Sequence, residues 1–493
     1  MQRVVAIPTL SSLRAGWLGN VRLDLLSGLV VAIALIPEAI SFSIIAGVDP
    51  RVGLYASFTI AIVISMVGGR SGMISAATGA VALLVVPLVR DHGVEYLFAA
   101  GLLAGVFQIL FGVLKVGHLM RFVPRPVMVG FVNALAILIF RSQVPHVRGG
   151  SWVVYAVVVA GVALIYLVPR MTRVVPGPLV AIGVLTAAAI LWHLDVPTVK
   201  DMGALPSTLP GFGFPRVPFD VHTLRIIAPF SLSIAIVGLI ESLLTAKLID
   251  DITDTPSDKD RECRGQGVAN LASALLGGMP GCAMIGQSMI NMQSGGRKRL
   301  STLASGVFLL ALLVVFGDLV GRIPVAALVA VMVVVSVNTF DWSSISPAAL
   351  KRSPRGDLVV LATTVAIVVA TDNLAYGVGA GVLLSALFFA RRIAHLIDID
   401  RIASLDGSTV FVVRGQLFFA STTAFAHAID YRGEHTVTID LTHAHVWDSS
   451  AVHALDAAVT KLTGLGGSVE LVGLNPHSQA LHTRLSGHLA RSH

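Results

Sequence analysis

Long apolar stretches recur along the chain from near Leu25 to about Ala390, and they limit the possible fold more than any other feature. Most are about as long as the 17 to 25 residues that a helix needs to cross a bilayer. Because lipid offers no hydrogen-bond partners, a backbone that crosses it must form helices or a closed barrel. Hydrophobic residues make up 55% of the chain and charged residues 13%, against about 45 to 50% and about 25% in soluble domains. The sequence therefore predicts an α-helical polytopic membrane protein.

The apolar stretches fall into two sets of seven. The predicted spans of the first set are 25–45, 52–67, 74–89, 94–115, 127–140, 152–168 and 178–193. Those of the second set are 225–245, 265–279, 282–293, 301–316, 324–337, 357–372 and 374–390. Because seven is odd, the second set enters the membrane from the opposite side, as in the inverted repeats of many transporters. Basic residues are concentrated in loops on the side of the N-terminus, so both termini are expected in the cytoplasm.

The spans and the polar regions around them predict the domain boundaries. We expect a cytoplasmic segment 1–24, a first repeat 25–193, an extracytoplasmic linker 194–224, a second repeat 225–390, and a linker with a cytoplasmic domain 391–493. In the last region, β-prone runs alternate with helix-like stretches, which predicts a small α/β domain. These runs are Val410–Val413, Thr436–Leu441 and Val469–Val472.

Several function classes are disfavoured by the residues present. The basic residues follow the membrane topology instead of forming one stripe, so no nucleic-acid partner is expected. No lysine directly follows a glycine, which disfavours the phosphate loop of a primary pump, and no HExxH motif indicates an enzyme. The histidines of the tail lack cysteine or acidic residues that would complete a metal site. We expect no enzyme activity, no cofactor and no metal.

Two acidic residues, Glu38 and Glu241, each lie just past the middle of the opening span of one set. An acid at membrane depth costs several kcal/mol unless it is protonated, paired or faces a cavity, so such residues usually mark ion or proton pathways. Each acid could instead be an interhelical hydrogen-bond partner with no role in transport.

The third and tenth spans are interrupted. Residues 282–293 would reach only about 18 Å as a helix, against a hydrocarbon core of about 30 Å. Their counterpart, residues 74–87, is also short, begins with small residues and ends in proline. Paired interrupted spans point to a binding site near the bilayer midplane, and two facing helix N-termini favour an anion. The alternative is that their small residues only allow close helix packing.

Four motifs in this order resemble those of the SulP anion permeases, the group of sulfate permeases, bacterial bicarbonate and dicarboxylate carriers, prestin and pendrin. They are IPEAISF (Ile36–Phe42) with AGVDPRVGLYASF (Ala46–Phe58), GLIESLLTAK (Gly238–Lys247), MPGCAMIGQSMIN (Met279–Asn291) and VTIDLTHAHVWDSSAVHAL (Val437–Leu455). The last of these resembles a STAS domain, the cytoplasmic module that these permeases carry.

The resemblance implies fourteen spans in two inverted repeats, with a core domain from spans 1 to 4 and 8 to 11 and a gate domain from the rest. It also implies an elevator-like movement of the core and a homodimer. The residues that it implies for substrate binding are Phe42, Thr78, Gly79, Ala80, Ile285, Gly286, Gln287 and Ser288. Those implied for ion or proton coupling are Glu38, Glu241 and Thr245.

One departure from the family pattern bears on coupling. Many vertebrate relatives have an arginine where this chain has Gln287, so the predicted site has two acids and no fixed cation. Two ionised acids would repel an anion, and we therefore expect at least one to be protonated when substrate binds. This favours proton-coupled symport of a small inorganic anion or C4-dicarboxylate across a bacterial inner membrane. The alternatives are a sodium-coupled symporter that uses Glu241 and Thr245, an exchanger, and an anion channel or sensor that signals through the STAS domain.

Overall fold

The structure is a computed structural model that describes residues 17–118, 123–171, 177–203, 210–394, 397–403, 408–429 and 436–486. The predicted N-terminal segment up to residue 16 and residues 204–209 of the predicted linker lie outside this part of the chain. The chain divides into two compact units, Met1–Val382 and Leu383–His493.

Each predicted span overlaps one helix. In the first set these are α1 Val21–Ala46, α2 Pro50–Val67, α3 Gly79–His92, α4 Val94–Val113, α5 Arg125–Val147, α6 Trp152–Met171 and α7 Gly177–Leu191. In the second set they are α8 Val221–Thr253, α9 Lys259–Leu275, α10 Ile285–Gln293, α11 Arg299–Gly321, α12 Val325–Thr339, α14 Arg355–Thr371 and α15 Leu374–Ala394, with the short α13 Pro347–Arg352 before α14. Among the described helices, eight are long and apolar enough to cross a membrane, and α7 and α12 are apolar but shorter.

The opening helix of each set begins with a side-chain cap. Asn20 accepts a hydrogen bond from the Leu23 N–H at 3.3 Å at the start of α1. Asp220 accepts one from the Thr223 N–H at 2.7 Å at the start of α8. Such caps satisfy one of the N–H groups that a helix start leaves unpaired. The two longest described helices therefore have defined starting points.

The third and tenth spans are strand-helix segments instead of plain helices. A short strand, β1 Ser75–Ala76, precedes α3, and β2 Cys282–Ala283 precedes α10. With nine residues, α10 is only about 14 Å long at the usual helical rise. The predicted end of the first segment at Pro87 is wrong, because α3 continues through that proline to His92.

The helices of the first unit form two packed groups. One group contains α1 to α4 and α8 to α11, in which α1 packs against α11 and α4 packs against both α8 and α9. The other contains α5, α6, α7, α12 and α14, in which α12 packs against α5 and α6. Close approach within the first group depends on small residues, since a Cβ on Gly105 of α4 would lie 2.7 Å from the carbonyl oxygen of Gly267 on α9.

A buried carboxylate ties the segment before β1 to the first group of helices. Glu262 on α9 is 0% exposed, and it accepts hydrogen bonds from the backbone N–H groups of Gly69 at 2.7 Å and Arg70 at 3.1 Å. The Gln266 amide also donates to Glu262 at 3.0 Å, and to the Ser75 hydroxyl of β1 at 2.6 Å. Glu262 and Gln266 thus fix the approach of the chain to β1.

The second unit contains a four-stranded sheet in the order β3-β4-β5-β6. Its strands are β3 Asp398–Ala403, β4 Ser408–Leu417, β5 Thr436–Val446 and β6 Ser468–Val472, and its helices are α16 Thr422–Ala428, α17 Ser449–Gly464 and α18 Pro476–Leu485. β3 pairs antiparallel with β4, and the other pairs are parallel. Buried side chains of β4, β5 and α17 form its core, including Phe411, Leu441 and Leu455. The predicted α/β domain is confirmed.

Replacement of Glu262 by alanine is expected to destabilise the folded protein. It would leave two part-buried backbone N–H groups without their acceptor, at a cost of about 1 to 3 kcal/mol. The melting temperature of the purified protein measures this loss. Glu95→Ala is the matched control, because the Glu95 carboxylate also accepts a backbone N–H, that of Arg216, but at an exposed site. Equal melting temperatures for Glu262→Ala and Glu95→Ala would contradict the expectation.

Candidate anion-binding site

The two strand-helix segments meet at their strands. Ser75 lies opposite Ala283, and Ala76 lies opposite Cys282, in antiparallel register. The chain then turns from each strand into a helix that leads away, α3 or α10. Gly281 permits this approach, because a Cβ there would lie 2.0 Å from the Ala76 carbonyl oxygen. The pairing therefore brings the N-termini of α3 and α10 into one region.

Neither of these N-termini carries a side-chain cap. Thr78 and Met284 occupy the cap positions with extended backbones, and neither side chain accepts a hydrogen bond from the first turn. Each helix start therefore offers backbone N–H groups, together with the positive end of the helix dipole. Two such ends in one region attract an anion without any positively charged side chain.

A cavity of about 840 Å³ lies beside the two N-termini. It is lined by most of the predicted site residues, namely Glu38, Phe42, Thr78, Gly79, Glu241, Ile285, Gly286 and Gln287. Its opposite wall comes from α5, α6 and α12 and is largely apolar, with Phe131, Leu135, Ile139, Ile165, Val331 and Val334 among its residues. The cavity thus lies between the two groups of helices, and the polar groups come mainly from the first group.

Three predicted site residues do not line this cavity. Ala80 is 0% exposed inside α3. The Ser288 hydroxyl accepts a hydrogen bond from the Ile74 N–H at 3.0 Å, so it holds the strand before α3 in place. The Thr245 hydroxyl donates to the Glu241 carbonyl oxygen at 2.8 Å, one turn back on its own helix. The rotation of each helix directs these side chains away from the cavity.

The two carboxylates that line the cavity come from different helices of the first group. Glu38 on α1 is half-buried, and Gln287 on α10 is its side-chain hydrogen-bond partner. Glu241 on α8 is 8% exposed, and the Cys282 thiol donates to its carboxylate at 3.0 Å. No lysine, arginine or histidine is among the described residues that line the cavity. Ionised together, the acids would offset the positive potential of the helix ends.

Side chains from neighbouring helices hold the second strand-helix segment in place. The Asn270 side chain on α9 accepts a hydrogen bond from the Gly281 N–H at 2.8 Å and donates to the Gly281 carbonyl at 3.0 Å. The same amide donates to Gln108 on α4 at 2.8 Å. The Ser242 hydroxyl on α8 accepts from the Ala283 N–H at 3.0 Å. These contacts satisfy backbone groups that lipid could not, which allows irregular backbone inside the membrane region.

Sequence reasoning missed the part that Cys282 plays in this site. Its sulfur lies between the Glu241 carboxylate and the Thr78 hydroxyl, at 3.0 Å and 3.1 Å. The one sequence signal was the position of Cys282 directly after the Pro280-Gly281 break. Its two partners come from other parts of the chain, so local sequence does not reveal the contact.

The fold and the cavity define a helical membrane protein in which two interrupted helices meet at a candidate ligand site. The model of the sulfate permease family matches residues 21–159 and 150–364, and that of the STAS domain matches residues 399–488. The chain belongs to the sulfate permease family. The resemblance drawn from its sequence motifs is therefore confirmed.

Individual relatives agree with this assignment. The candidate sulfate transporter YbaR of Bacillus subtilis is 54% identical over 96% of this chain and 99% of its own length. The solved transmembrane domain of a cyanobacterial bicarbonate transporter, BicA, is 25% identical, with a TM-score of 0.65 over 74% of this chain and 98% of that one. Murine Solute Carrier 26 family member A9, an anion transporter in the inward-facing state, shares the fold with a TM-score of 0.81 at 16% identity, over 100% of this chain and 93% of that one.

Replacement of Gly286 by valine is expected to block the cavity without unfolding the protein. A Cβ on Gly286 meets no atom within 4 Å, so the side chain has room but occupies space at the α10 N-terminus. A misfit with the substrate of about 1 to 3 kcal/mol would reduce uptake by about 5-fold to 150-fold. Uptake into proteoliposomes and the melting temperature are the two measurements.

Gly183→Val on α7 is the matched control for this change. A Cβ on Gly183 also meets nothing within 4 Å, and Gly183 does not line the cavity. We expect the control to keep wild-type uptake. Equal uptake by the two variants would contradict the placement of the substrate beside Gly286.

Proposed function

We propose that this protein is a secondary active transporter that moves a small inorganic anion or a C4-dicarboxylate together with protons. One observation carries the proposal: two uncapped helix N-termini lie beside a cavity that is lined by two carboxylates. The helix ends supply the positive potential for an anion. The two carboxylates can gain a proton as the anion binds and lose it as the anion leaves.

Electrostatics favours coupling to protons. An anion that enters the cavity meets Glu38 and Glu241 and no cationic side chain among the described lining residues. If both acids were ionised, their repulsion would oppose binding, so uptake of the anion goes with uptake of at least one proton. Glu241 is the leading coupling residue because it is the more buried of the two.

The division of the cavity wall favours an elevator-type movement. The helix N-termini and both acids belong to the group formed by α1 to α4 and α8 to α11, while the opposite wall is largely apolar. A group that carries the whole polar site can move against an apolar wall without breaking the bonds that hold the anion. We propose that this group is the mobile core and that the other group is the gate.

Further parts of the proposal concern topology and assembly. They comprise fourteen membrane crossings as two inverted repeats, 25–193 and 225–390, joined by an extracytoplasmic linker 194–224. We also propose that segments 1–24 and 391–493 are cytoplasmic, that the protein lies in the bacterial inner membrane, and that it forms a homodimer. The concentration of basic residues on the side of the N-terminus supports this orientation.

The substrate class follows from the relatives and from the site. YbaR is described as a candidate sulfate transporter and BicA as a bicarbonate transporter. A site made of backbone N–H groups and small side chains accepts several small anions, because it recognises charge more than shape. We therefore keep sulfate, bicarbonate, chloride and the dicarboxylates succinate and fumarate as candidates.

Sodium coupling is the less favoured alternative. It would use the Thr245 hydroxyl beside Glu241, but this hydroxyl donates to the Glu241 carbonyl oxygen, and Thr245 does not line the cavity. Counterflow with and without sodium separates the two coupling ions. Uptake that saturates and accelerates under exchange would favour a carrier, whereas large unitary currents would favour a channel.

An uptake panel in proteoliposomes tests the proposal. Sulfate, bicarbonate, chloride, succinate and fumarate are each supplied with and without an inward proton gradient. We expect the gradient to drive accumulation of at least one of them in the absence of sodium. Failure of the gradient to increase uptake of any of the five would contradict proton-coupled transport.

Glu241→Gln identifies the coupling residue in the same assay. The amide cannot ionise, so we expect uptake that no longer responds to the gradient, while exchange of internal for external anion continues. Glu38→Gln is the matched comparison at the other carboxylate of the cavity, and it should keep a response to the gradient if Glu241 carries the coupling. An unchanged gradient response in Glu241→Gln would remove Glu241 from this role.

A further inference from the structure

We propose that Cys282 is a positioning residue that transmits the protonation state of Glu241 to the anion site through Thr78. The inference rests on the proposed proton-coupled function and adds a physical link between the proton and the anion. Its basis is a continuous chain of contacts. The Cys282 sulfur lies 3.0 Å from the Glu241 carboxylate and 3.1 Å from the Thr78 hydroxyl.

Of these three groups in contact, the middle one is buried and the two outer ones line the cavity. Cys282 is 0% exposed and does not line the cavity, whereas Glu241 and Thr78 do. Thr78 occupies the cap position of α3, directly before the helix N-terminus at which the anion is proposed to bind. Glu241 can therefore exchange a proton with the cavity while Thr78 can face the anion.

The direction of the hydrogen bonds depends on the state of Glu241. A thiol and a hydroxyl each have one hydrogen to donate and lone pairs to accept with, whereas an ionised carboxylate only accepts. When Glu241 is ionised, the Cys282 S–H donates to it, and the sulfur accepts the Thr78 O–H. Thr78 then presents only oxygen lone pairs to the cavity, which repel an anion.

Protonation of Glu241 reverses this order. The carboxylic O–H donates to the Cys282 sulfur, the S–H donates to the Thr78 oxygen, and the Thr78 O–H becomes free to donate to an anion. The proton that reaches Glu241 from water stays on Glu241. The S–H and O–H bonds only rotate, and no bond to sulfur or to the Thr78 oxygen breaks. An anion therefore gains a hydrogen-bond donor only when the proton is bound.

Few other titratable groups face Glu241. Glu38 on α1 and Tyr166 on α6 line the same cavity, and α10 contains no titratable residue. Titratable side chains of the neighbouring helices α3, α4 and α9 have other partners: Arg90 with Asp91, His92 with Tyr96, Glu95 with Arg216, Lys259 with Asp250, Asp260 with His118, Arg261 with Val67, and Glu262 with Gly69. The Arg264 stem lies beside α4, where a Cβ added to Gly112 would lie 2.5 Å from the Arg264 Cγ. Cys282 is thus the titratable group in direct contact with the Glu241 carboxylate.

Uptake kinetics of the full chain in proteoliposomes test this link. The probe is whichever of sulfate, bicarbonate, chloride, succinate and fumarate the wild-type protein takes up, and the readout is its KM at acidic and alkaline pH. For the wild type we expect a lower KM at acidic pH. Cys282→Ala removes the sulfur that accepts the Thr78 O–H when Glu241 is ionised. We therefore expect its KM at alkaline pH to fall about tenfold, the value of one hydrogen bond to a charged group, and its KM at acidic pH to stay near that of the wild type.

Two further variants make the result specific. Cys282→Ser keeps a group that both donates and accepts, so it should retain the fall in KM on acidification. Cys263→Ala makes the same substitution at the other buried free cysteine, away from the cavity, and should behave as the wild type. A wild-type pH dependence of KM in Cys282→Ala would overturn the inference alone. A wild type whose KM does not depend on pH would overturn proton coupling and this inference together.

The infrared S–H stretching band reports on the Cys282 thiol directly, and it can be measured even if Cys282→Ala does not fold. In the Cys263→Ala background the single S–H stretching band belongs to Cys282. We expect this band to shift when the pH is raised from acidic to alkaline, because the acceptor of the S–H changes from Thr78 to Glu241, and to stay fixed in Cys263→Ala/Glu241→Gln. A band that does not move with pH in the Cys263→Ala protein would overturn the inference.

Discussion

The structure depends on two helices that begin inside the membrane region and so leave backbone N–H groups without intrahelical partners. Lipid cannot satisfy such groups, and an unpaired one costs several kcal/mol. The antiparallel contact of Ser75 and Ala76 with Ala283 and Cys282 satisfies part of this backbone. Asn270 and Ser242 satisfy another part from neighbouring helices. The starts of α3 and α10 have no side-chain cap and lie beside the cavity, where a ligand or water can complete their hydrogen bonds.

This constraint also explains the charge of the site. Positive potential comes from the ends of α3 and α10, which are fixed parts of the backbone, and not from a lysine or arginine. The titratable charge comes from Glu38 and Glu241, whose ionisation opposes that potential. In the proposed mechanism, the attraction from the helix ends is fixed and the repulsion from the acids depends on pH, so the affinity of the site for an anion changes with protonation. In this account, proton coupling follows from the absence of a cation at Gln287.

The sequence predicts much of this arrangement. Hydropathy gives the helices, and the short apolar segment after Gly281 reveals an interrupted span, because its length alone excludes a full crossing. Length does not reveal the other interrupted span, since α3 continues through Pro87 to His92. The two acids stand out because charge is costly in lipid. Side-chain direction is harder to predict, since on α3, α8 and α10 it depends on the rotation that tertiary contacts impose. Thr245 therefore bonds to its own helix and Ser288 to Ile74, although their sequence positions place them beside cavity residues.

The contact of Cys282 with Glu241 and Thr78 could not be predicted for the same reason, because it joins three separate segments of the chain. We propose that an anion is held between the two helix N-termini. Anomalous scattering from crystals grown with selenate or with bromide can test this placement, since both anions can be located by their own signal. We expect density within hydrogen-bond distance of the backbone nitrogen atoms of Gly79 and Gly286. Density confined to surface arginines, with none beside these two residues, would contradict it.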